Sequence, residues 1–487
     1  MASLEELRNE RIKKLKLLAG KGINAYPASS KRDATLAEAS SSFPKLSKKK
    51  AVALLGRVTA LRGQGSIMFF DFFDGTGTFQ GLLKKDEMDA DSFSLFVDTV
   101  DMGDFIEVSG KLFITKRKEK TIAVNKWKML SKSLRPLPDK WHGLTDVEER
   151  FRRRYLDTLM SEEVRGRFSM RSALVRFLRE YLDKEGFLEV ETPILQSIAG
   201  GALAQPFVTH HQALDMDLYL RIAPELYLKK LLVGGFTKVY ELSKNFRNEG
   251  IDVTHNPEFT MLEYYEAYSD ASFQINFVEK MIRGIVKKVS KKTTIKYDDN
   301  SIDFSKKFAR VSFFDLLKRY ALITHSEKKS REELIKKAEQ LSVEISPYDS
   351  SEKIMDNIYK KTCRPRLVQP TFITDYPVAF SPFAKRQEGN PDFIDRFQLV
   401  AGGIEIVNAF SELNDPIEQR SRYEEQEKKR KGGEKDISPS DEEYVEAMEY
   451  GMPPAGGVGV GVDRLVMLLS DSKNIRETIL FPTMKPR

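Results

Sequence analysis

The stretch KVYELSKNFRNEGIDVTHNPEFTMLEYY, residues 238–265, reads as two β-strands joined by a charged turn. Val239 and Glu241 alternate with Tyr240 and Leu242 on the way out, and the return strand's period of two puts Phe259, Met261, Glu263 and Tyr265 on one face. That face combines an aromatic ring suited to stacking on a base with a carboxylate suited to an ammonium. Arg247 and Glu249 flank the outgoing edge, and His255 stands on the return. An isolated Arg-x-Glu is more often a surface ion pair than a ligand site, so the residues alone leave both readings open.

Two further segments carry chemistry. In GGIEIVNAFSELND, residues 402–415, Asn408, Phe410 and Glu412 fall on one strand face while Glu405 is an odd step away. If the four share a site, a bulge or bend lies between Glu405 and Asn408. Carboxylates beside such a pocket suit Mg²⁺, which takes one or two of them together with substrate phosphates. In VGVGVDRLVMLL, residues 458–469, alternating glycines precede an apolar helix that opens with Asp463 and Arg464, and an Arg there demands an anion. No GxxxxGK[ST] loop occurs, and no GxGxxG links a strand to a helix in the dinucleotide-binding manner. KMLSKS, residues 128–133, has one residue too many for the KMSKS signature and lacks its HIGH-like partner, so it reads as a solvated basic strand end.

At 487 residues the chain predicts two or three folding units. With 41% hydrophobic and 31% charged residues it has an ordinary globular composition. The net charge of +7 lies entirely in residues 1–50, which hold 12 basic and 5 acidic side chains. That segment is suited to a polyanion, whereas the balanced remainder excludes a histone-like polycation. One cysteine, Cys363, excludes an intrachain disulfide or thiolate cluster and suggests a reducing compartment. No apolar run approaches the roughly 18 residues a membrane span needs, and Glu5, Glu6, Arg8 and Glu10 do not suit a signal peptide, so a cytoplasmic location is expected.

Residues 1–47 predict a basic helical extension and linker, opened by a Ser3-x-x-Glu6 capping box and carrying Leu4, Leu7, Ile12, Leu15 and Leu18 at helical spacing. Residues 48–138 hold five short β-rich runs, which suit an OB-fold barrel. Residues 139–487 form the largest block, of mixed helices and antiparallel-type strands, and must hold the chemistry. Within it, residues 287–361 read as a helical Lys-rich insertion and 428–435 as a mobile loop.

Taken together these segments closely resemble the class II aminoacyl-tRNA synthetases of subclass IIb, and within them the bacterial-type lysyl members. FLEVETPIL (187–195) resembles motif 1, FRNEGIDVTHNPEFTMLEYY (246–265) motif 2 and GVGVDRL (459–465) motif 3. GGALAQPF, YLRIAPELYLK, GGFTKVYEL, FSELNDP and the RPLPDKWHGL joint are similar to the lysyl members in particular. The resemblance implies an α+β fold: an antiparallel catalytic sheet flanked by helices, an N-terminal anticodon-reading OB barrel, and a homodimer joined through motif 1. It implies a ligase that converts L-lysine and ATP to lysyl-adenylate and passes lysine to the 3′ end of tRNA(Lys), with Mg²⁺ as cofactor and no membrane partner.

Carried over residue by residue, the resemblance makes Arg247, Arg464 and Glu405 catalytic. Glu249, His255, Asn256 and Phe259 would complete the ATP site, with Phe259 and Arg464 on either side of adenine. Lysine would meet Gly201, Glu225 and Glu263 at its α-ammonium and Tyr265 and Glu412 at its ε-ammonium. Asn408, Phe410, Gly459 and Gly461 would shape that pocket. Arg62, Phe69, Gln80 and Glu119 would read the anticodon, although Phe70, Phe72 and Phe73 crowd Phe69 and leave a core role open for it. Glu405 would hold metal, with Gln398 and Glu412 as further positions. The sequence departs from the pattern at Gln398, where a Glu is usual, at Ile404, where a basic residue is usual, and at Ser66 and Lys118, which replace a common Lys and Gly.

Overall fold

In the computed structural model, which describes residues 3–138, 144–324, 330–431 and 438–487, the β-rich runs after Val52 close into a barrel. Its strands are β1 (Val52–Gln64), β2 (Ile67–Phe73), β3 (Thr78–Lys84), β4 (Phe105–Ile114) and β5 (Lys120–Ser131), in the order β1-β2-β3-β5-β4. Alternation sends Val58, Phe70, Phe72, Ile106, Val108 and Ile122 into a solvent-free interior. Phe96 of helix α2 (Ala90–Thr99) joins them, its ring edge-on to Trp127.

Helix α1 (Leu4–Gly20) begins at the capping box, in which Ser3 Oγ accepts from Glu6 N–H while Ser3 N–H donates to Glu6. Only part of its apolar stripe is used: Leu18 is buried, whereas Leu4 and Leu7 stay exposed. The extension belongs to the same compact unit as the barrel, Met1–Leu144, since Leu18, Ala25, Leu36, Phe43 and Leu46 share the barrel's apolar core. Arg11 fixes the helix, its buried guanidinium donating to the carbonyls of Met102, Ser133 and Arg135 and to Ser133 Oγ. Lys132, expected on a solvated strand end, is instead fully buried. It donates to Thr99 O, to Asp101 at 2.5 Å and to Asp104 at 2.8 Å, because a buried ammonium needs carboxylates around it.

The second unit, Thr145–Arg487, is built on an eight-stranded sheet. In chain order its strands are β6 (Leu188–Glu189), β7 (Lys238–Phe246), β8 (Glu258–Ala267), β9 (Ala309–Ser312), β10 (Thr371–Thr374), β11 (Arg396–Ala401), β12 (Ile404–Ser411) and β13 (Ala455–Gly461). They lie in the order β9-β10-β11-β12-β13-β8-β7-β6, antiparallel throughout except for the parallel outer pairs β9–β10 and β6–β7. One face, carrying Leu262, Tyr264, Ala409, Val458 and Val460, packs under helices α3 (Glu162–Lys184), α5 (Ala271–Ser290) and α6 (Val462–Leu469). The other face, toward helix α4 (Glu225–Val233), carries the polar residues of the hairpin.

The span 287–361 is more than a helical insertion: it also contains the hairpin of Thr294–Tyr297 with Asn300–Asp303 and the sheet strand β9. Its first residues, 287–290, end α5, and helix resumes only at Phe313. Lys428–Lys431, expected in a loop, end a helix that begins at Pro416, and residues 432–435 lie outside the described residues. Residues 139–143 of the expected joint also lie outside them. Among the described residues no helix is long and apolar enough to cross a membrane.

Replacing Arg11 with Ala removes the hydrogen bonds of a buried guanidinium to Met102, Ser133 and Arg135 and is expected to destabilise the first unit by about 2–3 kcal/mol. Denaturant unfolding followed through Trp127 fluorescence measures this, and Arg11→Lys, which cannot span four acceptors, should recover little of the loss.

Candidate active site

The floor of the site is a lane of glycine. Strand β13 lies between β8 and β12, and Gly457, Gly459 and Gly461 oppose Tyr265, Glu263 and Met261 on one side. On the other side Gly457 opposes Phe410 and Gly459 opposes Asn408. With only glycines on this face of the strand, side chains from β8 and from β12 and its continuation can meet over it. A Cβ at Gly457 would come 1.9 Å from Glu412 Oε1 and 2.5 Å from Tyr265 Cε1, so only glycine fits there. The alternating glycines are thus a sheet floor and not a phosphate loop.

Glu405 joins this face through a bulge. In the β11–β12 register Leu399 pairs with Val407 and Val400 with Glu405, which leaves Ile406 as the extra residue. The bulge changes the alternation, so that Glu405 and Asn408 line the same cleft of ≈ 190 Å³. Arg247, Phe259, His255, Asn256, Glu249 and Arg464 line it too.

This end of the cleft is cationic. Arg247 lies 5.0 Å from the Phe259 ring centre, and among the described residues its buried Nε has no hydrogen-bond partner and it makes no close ion pair with Glu249. Arg464 donates to Glu405 O at 3.2 Å and to His255 Nε2 at 2.9 Å, while His255 Nδ1 lies 2.8 Å from Asp252. An Nε2 that accepts from a guanidinium fixes the neutral tautomer, and burial followed by the charge of Arg464 lowers the imidazole pKa. Burial pushes the Glu405 carboxyl up, but Arg464, Arg364, Arg396 and Lys360 overcome it and hold the group below the ordinary carboxylate range. Asn408 accepts from Arg396 at 2.9 Å. Asp463, at the cleft wall, ties helix α6 to the sheet, accepting from Thr260 N–H at 2.6 Å and pairing with Arg171.

The other end is anionic and closed. Glu225, Glu263 and Glu412 are all buried. Tyr265 donates to Glu263 at 3.0 Å. Burial and repulsion from Glu225 push the Glu263 carboxyl up to about 8. Gly201, at φ +86°, brings its backbone against Glu225, where a Cβ would lie 2.9 Å from Glu225 Cβ. Lys229, one helical turn after Glu225, enters the same cluster and pairs with Glu225 at 2.5 Å and with Glu412. Glu412 is therefore paired to an ammonium at this end. Gln398 lies opposite Asn408 and accepts from the Tyr376 hydroxyl at 2.8 Å.

A cleft with a cationic half for carboxylate and phosphate and an anionic half for amines is an amino-acid activation geometry, and the chain's relatives agree with it. Residues 146–485 match the family model of class II tRNA synthetases (D, K and N). The chain belongs to that class II family. Residues 52–130 match the OB-fold nucleic acid binding domain. Among similar proteins, a lysine–tRNA ligase of Pelotomaculum thermopropionicum is 48% identical over 486 residues, covering 99% of this chain and 96% of that one. That of Carboxydothermus hydrogenoformans is 46% identical with 99% of both chains covered, and that of Moorella thermoacetica 48% identical over 90% of this chain and 89% of its own.

In this class II chain the barrel presents three of its four expected recognition residues on the outer surface of adjacent strands. Phe70 and Phe72 fill the core, whereas Phe69 is half-buried on the other face, opposite Arg62. Arg62 pairs with Asp71 at 2.9 Å, and Gln80, opposite Asp71, accepts from Thr121 at 2.8 Å. Glu119 is exposed in the β4–β5 turn, where Lys118 adopts φ 66°, a conformation that favours glycine.

Sequence reasoning missed Lys229, the aromatic groups Phe383 and Tyr444 around it, and Gly457. The available signal was a Glu225/Lys229 pair at i, i+4 in the otherwise apolar run ELYLKKLLV.

Gly457→Ala places a methyl group against Glu412 and Tyr265. It is expected to raise the KM for the amino-acid substrate by about tenfold or more while moving the KM for ATP by less than about twofold. Steady-state ATP–pyrophosphate exchange separates the two constants.

Proposed function

We propose that the chain is a lysine–tRNA ligase, which joins L-lysine to ATP as lysyl-adenylate and then transfers lysine to the 3′ end of tRNA(Lys). The observation that carries this reading is the closed cluster of Glu225, Glu263 and Glu412 beyond an Arg-lined cleft, in a chain whose similar proteins are lysine–tRNA ligases. Lysine has two ammonium groups and one carboxylate. Glu225 and Glu263 serve the α-ammonium, Glu412 and Tyr265 the ε-ammonium, and Asn408 and Phe410 bound the pocket. A buried carboxylate left unpaired is costly, so amino acids lacking the second ammonium are rejected.

The lysine carboxylate attacks the α-phosphorus of ATP and pyrophosphate leaves; the carboxylate is already a nucleophile, so no general base is needed. Arg247, whose Nε is without a protein partner among the described residues, neutralises the carboxylate and the α-phosphate as charge builds on phosphorus. Phe259 stacks on adenine, with Arg464 on its other side, and His255, Asn256 and Glu249 complete the nucleotide contacts. A hydroxyl at the tRNA 3′ end then attacks the lysyl carbonyl, and AMP leaves.

Mg²⁺ fits Glu405, an ionised carboxylate in the cleft, since this ion takes few protein ligands and completes its shell with phosphate and water. When bound it neutralises phosphate charge. The Tyr376 hydroxyl already donates to the Gln398 amide oxygen, which gives that position a lesser share. The barrel's Arg62, Phe69, Gln80 and Glu119 read the anticodon by stacking and hydrogen bonds to unpaired bases. Exposed Leu188, Ile194 and Leu195 at the β6 edge support a homodimer through that segment. The barrel also disfavours a ligase that lysylates a protein, whose relatives lack this domain.

ATP–pyrophosphate exchange across the amino acids should respond to lysine alone, and charging of bulk tRNA should follow. Exchange driven by another amino acid, or lysine activation without charging, overturns the reading. At pH 7 the Glu263 carboxyl, raised to about 8, is mostly protonated, and an arriving ammonium ionises it. Lysine binding at pH 7 should therefore release close to one proton more from the wild type than from Glu263→Gln, as read by calorimetry in buffers of different ionisation enthalpy.

A further inference from the structure

The ammonium of Lys229 sits inside the carboxylate cluster and is fully buried. It pairs with Glu225 Oε1 at 2.5 Å and with Glu412 Oε2. The rings of Phe383, Phe410, Tyr265 and Tyr444 enclose it at 5.1, 5.3, 5.9 and 6.0 Å from their centres. Such faces favour a desolvated cation. Neither Glu412 oxygen receives a directed hydrogen bond among the described residues; Oε2 is ion-paired to Lys229, and Oε1 lies next to the Gly457 floor.

We propose that Lys229 is a built-in counter-ion of the amino-acid pocket, a positioning residue that leaves the three buried carboxylates, once all are ionised in the occupied pocket, two positive charges short and thereby selects a ligand with two ammonium groups. This rests on the reading of the cluster as the lysine pocket. Three carboxylates without any cation would not stay ionised in an enclosed site, and protonated ones would present hydroxyls to the substrate. Lys229 hydrogen-bonds one oxygen of Glu225 and is ion-paired to Glu412 Oε2, which leaves Glu412 Oε1 at the glycine floor open to a substrate ammonium. A single-ammonium ligand would leave one charge uncompensated. The alternative, that the Lys229 side chain stands in for the substrate and is displaced by it, fits less well. Its stem comes from the inner face of α4 among buried Leu226, Leu228 and Leu232, and four rings close around its tip.

Removing the side chain beyond Cβ in Lys229→Ala leaves room for n-propylammonium, and Lys229→Met keeps most of the volume without the charge. Both variants should raise the KM for lysine by about tenfold or more, with the KM for ATP within about twofold of wild type. Added n-propylammonium should restore the lysine KM of Lys229→Ala, whereas n-propanol should not. Equal rescue by propanol would show that Lys229 only fills space, and a lowered lysine KM in either variant would show it to be a substrate mimic. An unchanged KM also overturns the proposal. If Lys229→Ala does not fold, as judged by circular dichroism, Lys229→Met decides by the split between the lysine and ATP constants. A wild type that fails to activate lysine overturns the reading of the pocket and this inference with it. A wild type that activates lysine beside a Lys229 variant with unchanged or lowered KM overturns the inference alone.

Discussion

Three buried carboxylates converge beside a single lysine ammonium, and the architecture of the second unit is arranged around that imbalance. Charges of one sign do not gather in a closed, low-dielectric space unless the backbone forces them together. Here the force is sheet pairing. Glu263 is held on β8, Glu412 follows β12, and Glu225 opens α4 above them. The Leu262 and Tyr264 side chains, pointing the opposite way from β8, lock its register through the large core under α3, α5 and α6. A one-residue slip would expose that core, so the core's apolar burial holds the carboxylates in place.

The same sheet separates charge along the cleft. The bulge at Ile406 carries Glu405 to the end where Arg247 and Arg464 stand, and the glycine lane of β13 runs from there to the closed carboxylate end. Under the proposed function an amino acid lies along this gradient, with its carboxylate toward the arginines and its amines toward the glutamates. Its orientation is then set before any contact with nucleotide, which is how positioning lowers the barrier for a reaction that needs no proton transfer from the protein.

The hairpin and its facing residues were legible because they follow local rules: a period of two, a charged turn, and an odd spacing between Glu405 and Asn408 that only a bulge reconciles. The barrel was legible from five short alternating runs. What escaped depends on contacts far apart in sequence. Lys132 looks solvated beside its basic neighbours and becomes buried only because Asp101 and Asp104, on a separate loop, meet it. Strand β9 looked like part of an insertion because its partner, β10, lies about sixty residues later and pairs in parallel. Lys229 lay in plain view as one of two adjacent lysines, but nothing local says that it, and not Lys230, faces inward.

The N-terminal surplus of charge is divided in the same way between structure and surface. Arg11 is consumed by the carbonyls of Met102, Ser133 and Arg135, Lys14 pairs with Asp101 at 2.7 Å and Lys13 with Glu10 at 2.5 Å. Arg8, Lys16, Lys21, Lys31, Lys45 and Lys48–Lys50 remain exposed. These are the charges free to meet a phosphate backbone, which carries no sequence information and is sensed through counter-ion release. The extension also carries structural groups apart from those exposed charges. Its apolar and buried polar groups complete the barrel's core, so its removal would damage the very surface that carries Arg62, Phe69 and Gln80. Neutralising exposed lysines one at a time, with Leu18 and Arg11 left intact, is the way to weigh the electrostatic role without that damage.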